Sequence, residues 1–219
     1  MNNVKSPLQK SKGLFFVFEG TDGAGTTTQC RLLGDKLTAR GHEVLCTREP
    51  GGTTIGERIR ELVLDSRHQE MFVHTELLLY TAARAQHVKE KILPALRAGK
   101  IVISDRFTAS TIAYQSFGRG VDFSIAENLN RLATGECIPD HTFYLNVSLA
   151  ESRRRRVERD DPVDRMEGEG NDFQKKVIDG YEQIAQKDNH SRSILDASQG
   201  KEALATYVLR DILEYWPHL

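Results

Sequence analysis

The 219-residue sequence predicts an α/β fold, an open parallel sheet with helices packed on both faces. Two observations carry that prediction. Short apolar runs alternate along the chain with segments whose apolar residues recur at helical spacing, the pattern of repeated strand–helix units. The first run, residues 14–19, is nearly all apolar (Leu14-Phe-Phe-Val-Phe18 before Glu19), as a strand buried on both faces must be. In open α/β sheets ligands sit beyond the carboxyl ends of the strands. Those are the places where this sequence puts its glycine-rich and arginine-bearing segments.

The elements follow in order. From residue 27 to about 40, Leu32, Leu33 and Leu37 fall at helical spacing and Gly41 supplies a stop. Residues 43–48 read as a second strand, closed by the loop Glu49-Pro-Gly-Gly52. A helix is expected over 55–65, with Ile55, Ile59, Leu62 and Val63 on one side. A longer one spans 74–98 and is kinked or split by Pro94. Residues 100–105 form the third strand. A helix over 108–115 leads into a loop at 116–120, and 123–133 is helical again. The fourth strand is 141–146, followed by a helix over 149–157. The stretch 159–171, densely charged and glycine-bearing, reads as a mobile loop. A helix over 173–187, a short strand at 193–196 and a helix over 202–215 close the chain. Apart from a polar tail over residues 1–13 the sequence reads as a single domain, residues 14–219, with no internal repeat.

Composition narrows the function class. With 39% hydrophobic and 28% charged residues this is an ordinary globular chain, and a formal charge of −1 argues against broad nucleic-acid or membrane-surface binding. Any basic site must be local. Cys30, Cys46 and Cys137 are widely spaced and odd in number, so they read as reduced thiols of a cytoplasmic protein, not as a disulfide framework or zinc site. No apolar run approaches the roughly 20 residues that span a bilayer.

The chemistry starts at Glu19-Gly-Thr-Asp-Gly-Ala-Gly-Thr-Thr27. A strand feeding a glycine-rich turn that opens a helix is a phosphate cradle: backbone N–H groups converge on the anion, and the helix N-terminus adds positive partial charge. Gly20 and Gly25 have the spacing of the phosphate-loop pattern, and Thr27 supplies its magnesium-facing hydroxyl. Thr21, Asp22, Gly23 and Ala24 complete the loop. Thr26 stands where the pattern calls for lysine, so the loop has its shape without its usual cation. At the end of the third strand Asp105-Arg106 pairs a metal-side carboxylate with a phosphate-holding guanidinium, as phosphoryl transfer requires. Arg48, at the end of the second strand, offers another guanidinium for an acceptor phosphate. Tyr80 and Arg84 share one helix face, an aromatic ring beside a donor fork. That pair suits nucleobase reading, although Tyr80 alone would more often be core packing.

Together these segments resemble the thymidylate kinases. Thr47-Arg-Glu-Pro-Gly-Gly-Thr53, Glu76-Leu-Leu-Leu-Tyr80 through His87, Asp105-Arg-Phe-Thr-Ala-Ser110, Ala113-Tyr-Gln115, Gly118-Arg-Gly120 and Asp164-Arg-Met-Glu167 occur in that family's order over roughly residues 15–196. The resemblance implies a three-layer P-loop kinase fold with a five-stranded parallel sheet and a short mobile lid over about 159–171. It implies transfer of the γ-phosphoryl group of ATP to thymidine monophosphate, with Mg2+, in deoxynucleotide synthesis. Tyr80 stands where the family commonly has a phenylalanine that stacks on thymine. Arg84 and Gln115 would contact the base, with Ser110 and Thr111 lining its pocket. Asp22 would lie near the sugar 3′-hydroxyl, Arg48 and Arg106 would hold the acceptor phosphate, and Thr27 and Asp105 would organise the metal. The resemblance further implies a homodimer packed through helices.

Thr26 leaves the loop cation to be supplied elsewhere. Asp164-Arg-Met-Glu167 resembles the family's lid signature, and of the arginines at 153–156, 159 and 165, Arg159 and Arg165 are the preferred candidates for a replacement delivered on lid closure. Two alternatives remain at this level: a nucleotide-binding pseudoenzyme with little turnover, and a deoxynucleoside kinase that phosphorylates thymidine itself.

Overall fold

The computed structural model describes residues 13–159 and 162–219. The expected N-terminal tail falls, but for Gly13, outside the described residues, as do Asp160 and Asp161 of the charged loop. The described chain runs β1 (Phe15–Gly20), α1 (Thr26–Ala39), β2 (Val44–Arg48), α2 (Thr54–Leu64), α3 (Val73–His87), α4 (Leu93–Arg97), β3 (Ile101–Asp105), α5 (Thr108–Thr111), α6 (Phe123–Thr134), β4 (His141–Asn146), α7 (Leu149–Glu158), α8 (Asn171–Lys187), β5 (Arg192–Asp196) and α9 (Lys201–Tyr215). The five strands pair in parallel in the order β2-β3-β1-β4-β5.

Every β1 residue is buried, and the strand's period of two splits its side chains between two cores. Phe16 and Phe18 join Leu33 and Leu37 of α1 and Val208 and Ile212 of α9 on one face. Phe15 and Val17 join Val88, Ile92 and Phe107 on the other. This double burial is why the run reads as continuously apolar. Each fully buried phenylalanine contributes about 1.5–3 kcal/mol, and Phe18→Ala would lose about 3–5 kcal/mol by opening a cavity under the phosphate loop.

The sequence expectation needs two local corrections, at residues 116–118 and on α2, and the expected split of the 74–98 helix is present. Pro94 divides that helix. It sits in the first turn of α4, and a π-helical turn over Val88–Ile92 joins α3 to it. Proline has no N–H to donate and its ring clashes with the carbonyl one turn back, so the widened turn just ahead of it accommodates the ring. Residues 116–118 are helical, not loop, because α5 continues through a π-helical segment, Ile112–Gly118. On α2 the structure buries Gly56 and Val63 and leaves Ile55 and Leu62 at 54% and 42% exposure, so the four apolar residues do not form one core-facing stripe.

Parallel register brings the functional ends together. Asp105 on β3 lies opposite Phe18 of β1 and Arg48 of β2, so the phosphate loop, Arg48 and Asp105-Arg106 all emerge at one edge of the sheet.

Candidate active site

The phosphate loop begins where β1 ends. Gly25, the residue before α1, has φ 96°, a left-handed conformation that glycine adopts without Cβ strain. Gly23, at φ 81°, has no room for a side chain, since a Cβ there would lie 2.6 Å from the Ser152 carbonyl oxygen. Ser152 Oγ also donates to the Asp22 carbonyl at 2.7 Å, so α7 is packed onto the loop. Thr26, Thr27 and Thr28 open α1, and the first-turn amides of a helix have no intrahelical acceptor. Their donors and the helix dipole form the anion-binding end of the cradle.

Thr27 Oγ1 donates to Asp105 Oδ2 at 2.5 Å. The other carboxylate oxygen of Asp105 is buried with no hydrogen-bond partner among the described residues. A hydroxyl and a carboxylate with an unused oxygen form an all-oxygen donor set suited to a hard divalent cation.

Arg106 follows with a left-handed backbone, φ 73°, uncommon for a non-glycine residue and often found at functional sites. Its Nη1 donates to the Gly20 carbonyl at 2.7 Å and its Nη2 to Asp22 Oδ1 at 2.7 Å. Tyr114 donates to the other Asp22 oxygen at 2.7 Å, and the Arg106 guanidinium lies over the Tyr114 ring, 5.3 Å from its centroid.

Beside this pair opens a cleft of about 590 Å³. Asp22, Tyr80, Arg84, Arg106, Ser110, Thr111 and Gln115, distant in sequence, all line it. The polar side chains at its back are themselves tied down. Arg84, 3% exposed, donates to Glu49 at 2.6 Å, Thr111 Oγ1 at 2.6 Å, Asn130 Oδ1 at 2.5 Å and the Phe107 carbonyl at 2.7 Å. Gln115 Nε2 donates to Glu76 at 2.9 Å, and Ser110 Oγ donates to Glu19 at 2.6 Å. The cleft is therefore built before any ligand arrives. Burial pulls the Glu49 carboxyl upward, but Arg84 and His87 overcome it and hold the group below the usual carboxylate range.

Three expected site residues lie elsewhere. Arg48 lines a neighbouring cleft with Thr27 and Asp105, where it bonds Glu57 at 2.8 Å, and is not among the residues of the first cleft. Arg159 pairs with Glu167. Arg165 is only 4% exposed. It donates to the Val63 carbonyl at 2.8 Å and pairs with Glu76 at 2.7 Å. A guanidinium buried on α2 and α3 anchors the 162–170 segment and is not free to meet a phosphate. On α7, Arg155 reaches the loop, its Nη1 donating to the Gly23 carbonyl at 3.4 Å.

Arg60, Tyr114, Asp164 and Met166, which the sequence does not mark as site residues, also line the first cleft. Arg60 donates to the Pro50 carbonyl at 2.9 Å. Nothing in the helical periodicity of α2 distinguishes it from an ordinary surface arginine. Tyr114 stood inside a recognised segment and could have been chosen for its one-residue distance from Gln115.

Residues 18–208 match the family profile described as thymidylate kinase. The chain belongs to the thymidylate kinase family. It is 45% identical over 203 residues to the thymidylate kinase of Exiguobacterium sibiricum, covering 93% of this chain and 95% of that one. The thymidylate kinase of Pelotomaculum thermopropionicum is also 45% identical, over 91% of this chain and 92% of its own. The crystal structure of thymidylate kinase from Ehrlichia chaffeensis superposes with a TM-score of 0.73 at 33% identity, covering 91% of this chain and 98% of that one. The parallel five-stranded P-loop kinase fold expected from the sequence is the fold of this family, and the member described here is a nucleoside monophosphate kinase.

Proposed function

We propose that this thymidylate kinase transfers the γ-phosphoryl group of ATP to thymidine monophosphate, with the roles below for its own residues. The observation that carries the reading is the convergence of Asp22, Tyr80, Arg84, Arg106, Thr111 and Gln115 on one preformed cleft beside the phosphate loop. The reacting oxygen belongs to an already ionised phosphate, so the protein needs no strong general base. Its task is to align two polyanions and cancel their repulsion.

The loop from Gly20 to Thr27 holds the ATP phosphates through backbone donors. Arg106 holds the acceptor phosphate. Arg60, placed in the same cleft, takes the second cationic role expected of Arg48. Tyr80 offers a ring face to the thymine, while Arg84 and Gln115 present donors fixed by their protein partners. The Thr27 hydroxyl and the Asp105 carboxylate, which keeps an unpartnered oxygen, fit a magnesium ion; the ion would supply charge neutralisation of the transferred phosphate. Residues 159–171 act as a lid anchored by Arg165. Arg159 exchanges Glu167 for phosphate on closure, standing in for the lysine that Thr26 lacks.

The chain acts as a cytoplasmic homodimer in this reading. The apolar residues Ile55, Leu62, Phe72 and Leu78 of the α2–α3 region, all more than 40% exposed, are the surface that pairing would cover. Among the described residues no helix is long and apolar enough to cross a membrane.

A coupled assay of ADP release with thymidine monophosphate, thymidine and no acceptor tests the activity. Turnover with the monophosphate alone is the expected outcome. Turnover with thymidine instead would establish the nucleoside kinase, and saturable nucleotide binding without turnover the pseudoenzyme.

A further inference from the structure

Arg106 is held by more than the phosphate loop. Besides Gly20 and Asp22, its Nη1 donates to the Tyr181 hydroxyl at 3.0 Å. Tyr181 belongs to α8, the helix that leaves the lid segment, and is 3% exposed. Its hydroxyl lies 2.7 Å from Ser110 Oγ, which donates to Glu19 at 2.6 Å. A direct Tyr181–Glu19 approach is longer, 3.3 Å. With Glu19 ionised, donors and acceptors match in one direction along the short links: Arg106 donates to Tyr181, Tyr181 to Ser110, and Ser110 to Glu19. The relay thus has a guanidinium at one end and a carboxylate at the other, and such charge-assisted chains reinforce each other when dry. Glu19 is 1% exposed. It also accepts from the Phe107 amide at 2.8 Å and the Ser110 amide at 3.3 Å, so it fixes the backbone directly after Arg106.

Two close approaches bring α8 near enough for this. A Cβ on Gly180 would lie 2.8 Å from the Phe117 ring, and one on Gly118 would lie 2.6 Å from the Phe173 ring. Each partner thus supplies a glycine where the other supplies a phenylalanine.

We propose that Tyr181 is a positioning residue for phosphoryl transfer: through its hydroxyl, α8 sets where the Arg106 guanidinium presents its remaining donors to the acceptor phosphate. The proposal rests on the reading of Arg106 as the acceptor-phosphate group.

Steady-state kinetics of Tyr181→Phe, with thymidine monophosphate and ATP varied separately, test it. The ring and its packing survive this change, so Tm should stay within about 4 °C. The kcat per active site, counted by nucleotide-analogue titration, should fall about tenfold, in line with loss of one hydrogen bond to a charged group. KM for ATP should be unchanged. Ser110→Ala cuts the next link, so alone it should give the same split, and combined with Tyr181→Phe it should add little. Wild-type kcat in Tyr181→Phe overturns the proposal. A loss that follows Tm and active-site concentration while per-site kcat holds also overturns it, as does full additivity with Ser110→Ala. Arg106→Ala separates the two levels. If it keeps wild-type kinetics for thymidine monophosphate, the reading of Arg106 fails; if it abolishes turnover while Tyr181→Phe does not, only the positioning role fails.

Discussion

Arg165 and Glu76 form an ion pair at 2.7 Å in which both side chains are almost completely buried. Glu76 also accepts from Gln115 at 2.9 Å and pairs with Arg119 at 3.1 Å. One carboxylate on α3 therefore joins the Gln115 wall of the cleft to the 162–170 segment. Arg165→Met should destabilise the protein by about 3 kcal/mol, because breaking a buried pair strands part of a buried charge. Limited proteolysis should show faster cutting between 162 and 170. Arg159→Ala should affect turnover and not stability. Its side chain is 45% exposed and its Glu167 pairing is a surface contact, so Tm should change little while kcat falls by at least tenfold.

Arg84 and Glu49 make the second buried pair, at 2.6 Å with each side chain 3% exposed. Arg84→Met removes that guanidinium and leaves Glu49 its 2.8 Å contact with His87 Nδ1. A stability loss of about 3–5 kcal/mol is expected in urea titrations. Arg84→Lys should not rescue it, because one ammonium cannot reach Glu49, Thr111, Asn130 and the Phe107 carbonyl together.

Two buried glutamates should give pH dependence of opposite sign. Glu49 is held below its ordinary value of 4.5, so its stabilisation is complete above that value and is lost as pH falls through the depressed folded value. Glu19 is raised, burial outweighing its bonds to Ser110 and Phe107 and the charge of Arg106. Its contribution is complete below 4.5 and is lost as pH rises through the elevated folded value. Urea midpoints from pH 4 to 8 should therefore fall less steeply towards acid in Glu49→Gln than in wild type. In Glu19→Gln they should lose part of the decline towards neutral and alkaline pH. Identical profiles in both variants and wild type would refute the assignment.

Thr26→Lys tests how the site manages without the loop cation. With charge supplied from elsewhere, kcat should change by less than about threefold, although removing a needed transition-state donor commonly alters rate by about a hundredfold or more. A hundredfold gain in single-turnover rate would mean the wild-type loop is short of a cation.

Asp105→Asn should raise the magnesium concentration for half-maximal activity by at least about tenfold, since one anionic oxygen is lost from the Thr27–Asp105 set. Titration of activity with magnesium at saturating nucleotides measures it. Tm should hold, because Thr27 keeps an acceptor in the asparagine oxygen.

The sequence by itself determined the order of strands and helices, the phosphate loop and the strand-end pair Asp105-Arg106. Each of these is written in contiguous residues: the doubly buried β1 run, the glycine spacing, the polar switch at the end of β3. Tyr80 and Arg84 were legible for the same reason, since one helical turn relates them. The tertiary structure alone decided which partner each charged side chain takes. Arg48 and Arg60 are twelve residues apart in neighbouring elements, and only packing sends Arg48 to Glu57 and Arg60 to the cleft lined by Asp22 and Arg106. Arg165 and Arg159 stand within one charged stretch, yet one is buried against Glu76 and the other pairs at the surface with Glu167. Tyr181 looks from its helical period like ordinary core, and its hydroxyl gains meaning only where Gly180 lets α8 approach. Periodicity and glycine spacing reflect local geometry, whereas the fate of a long cationic side chain depends on which carboxylates the fold brings within about 3 Å, a length scale that linear order does not encode.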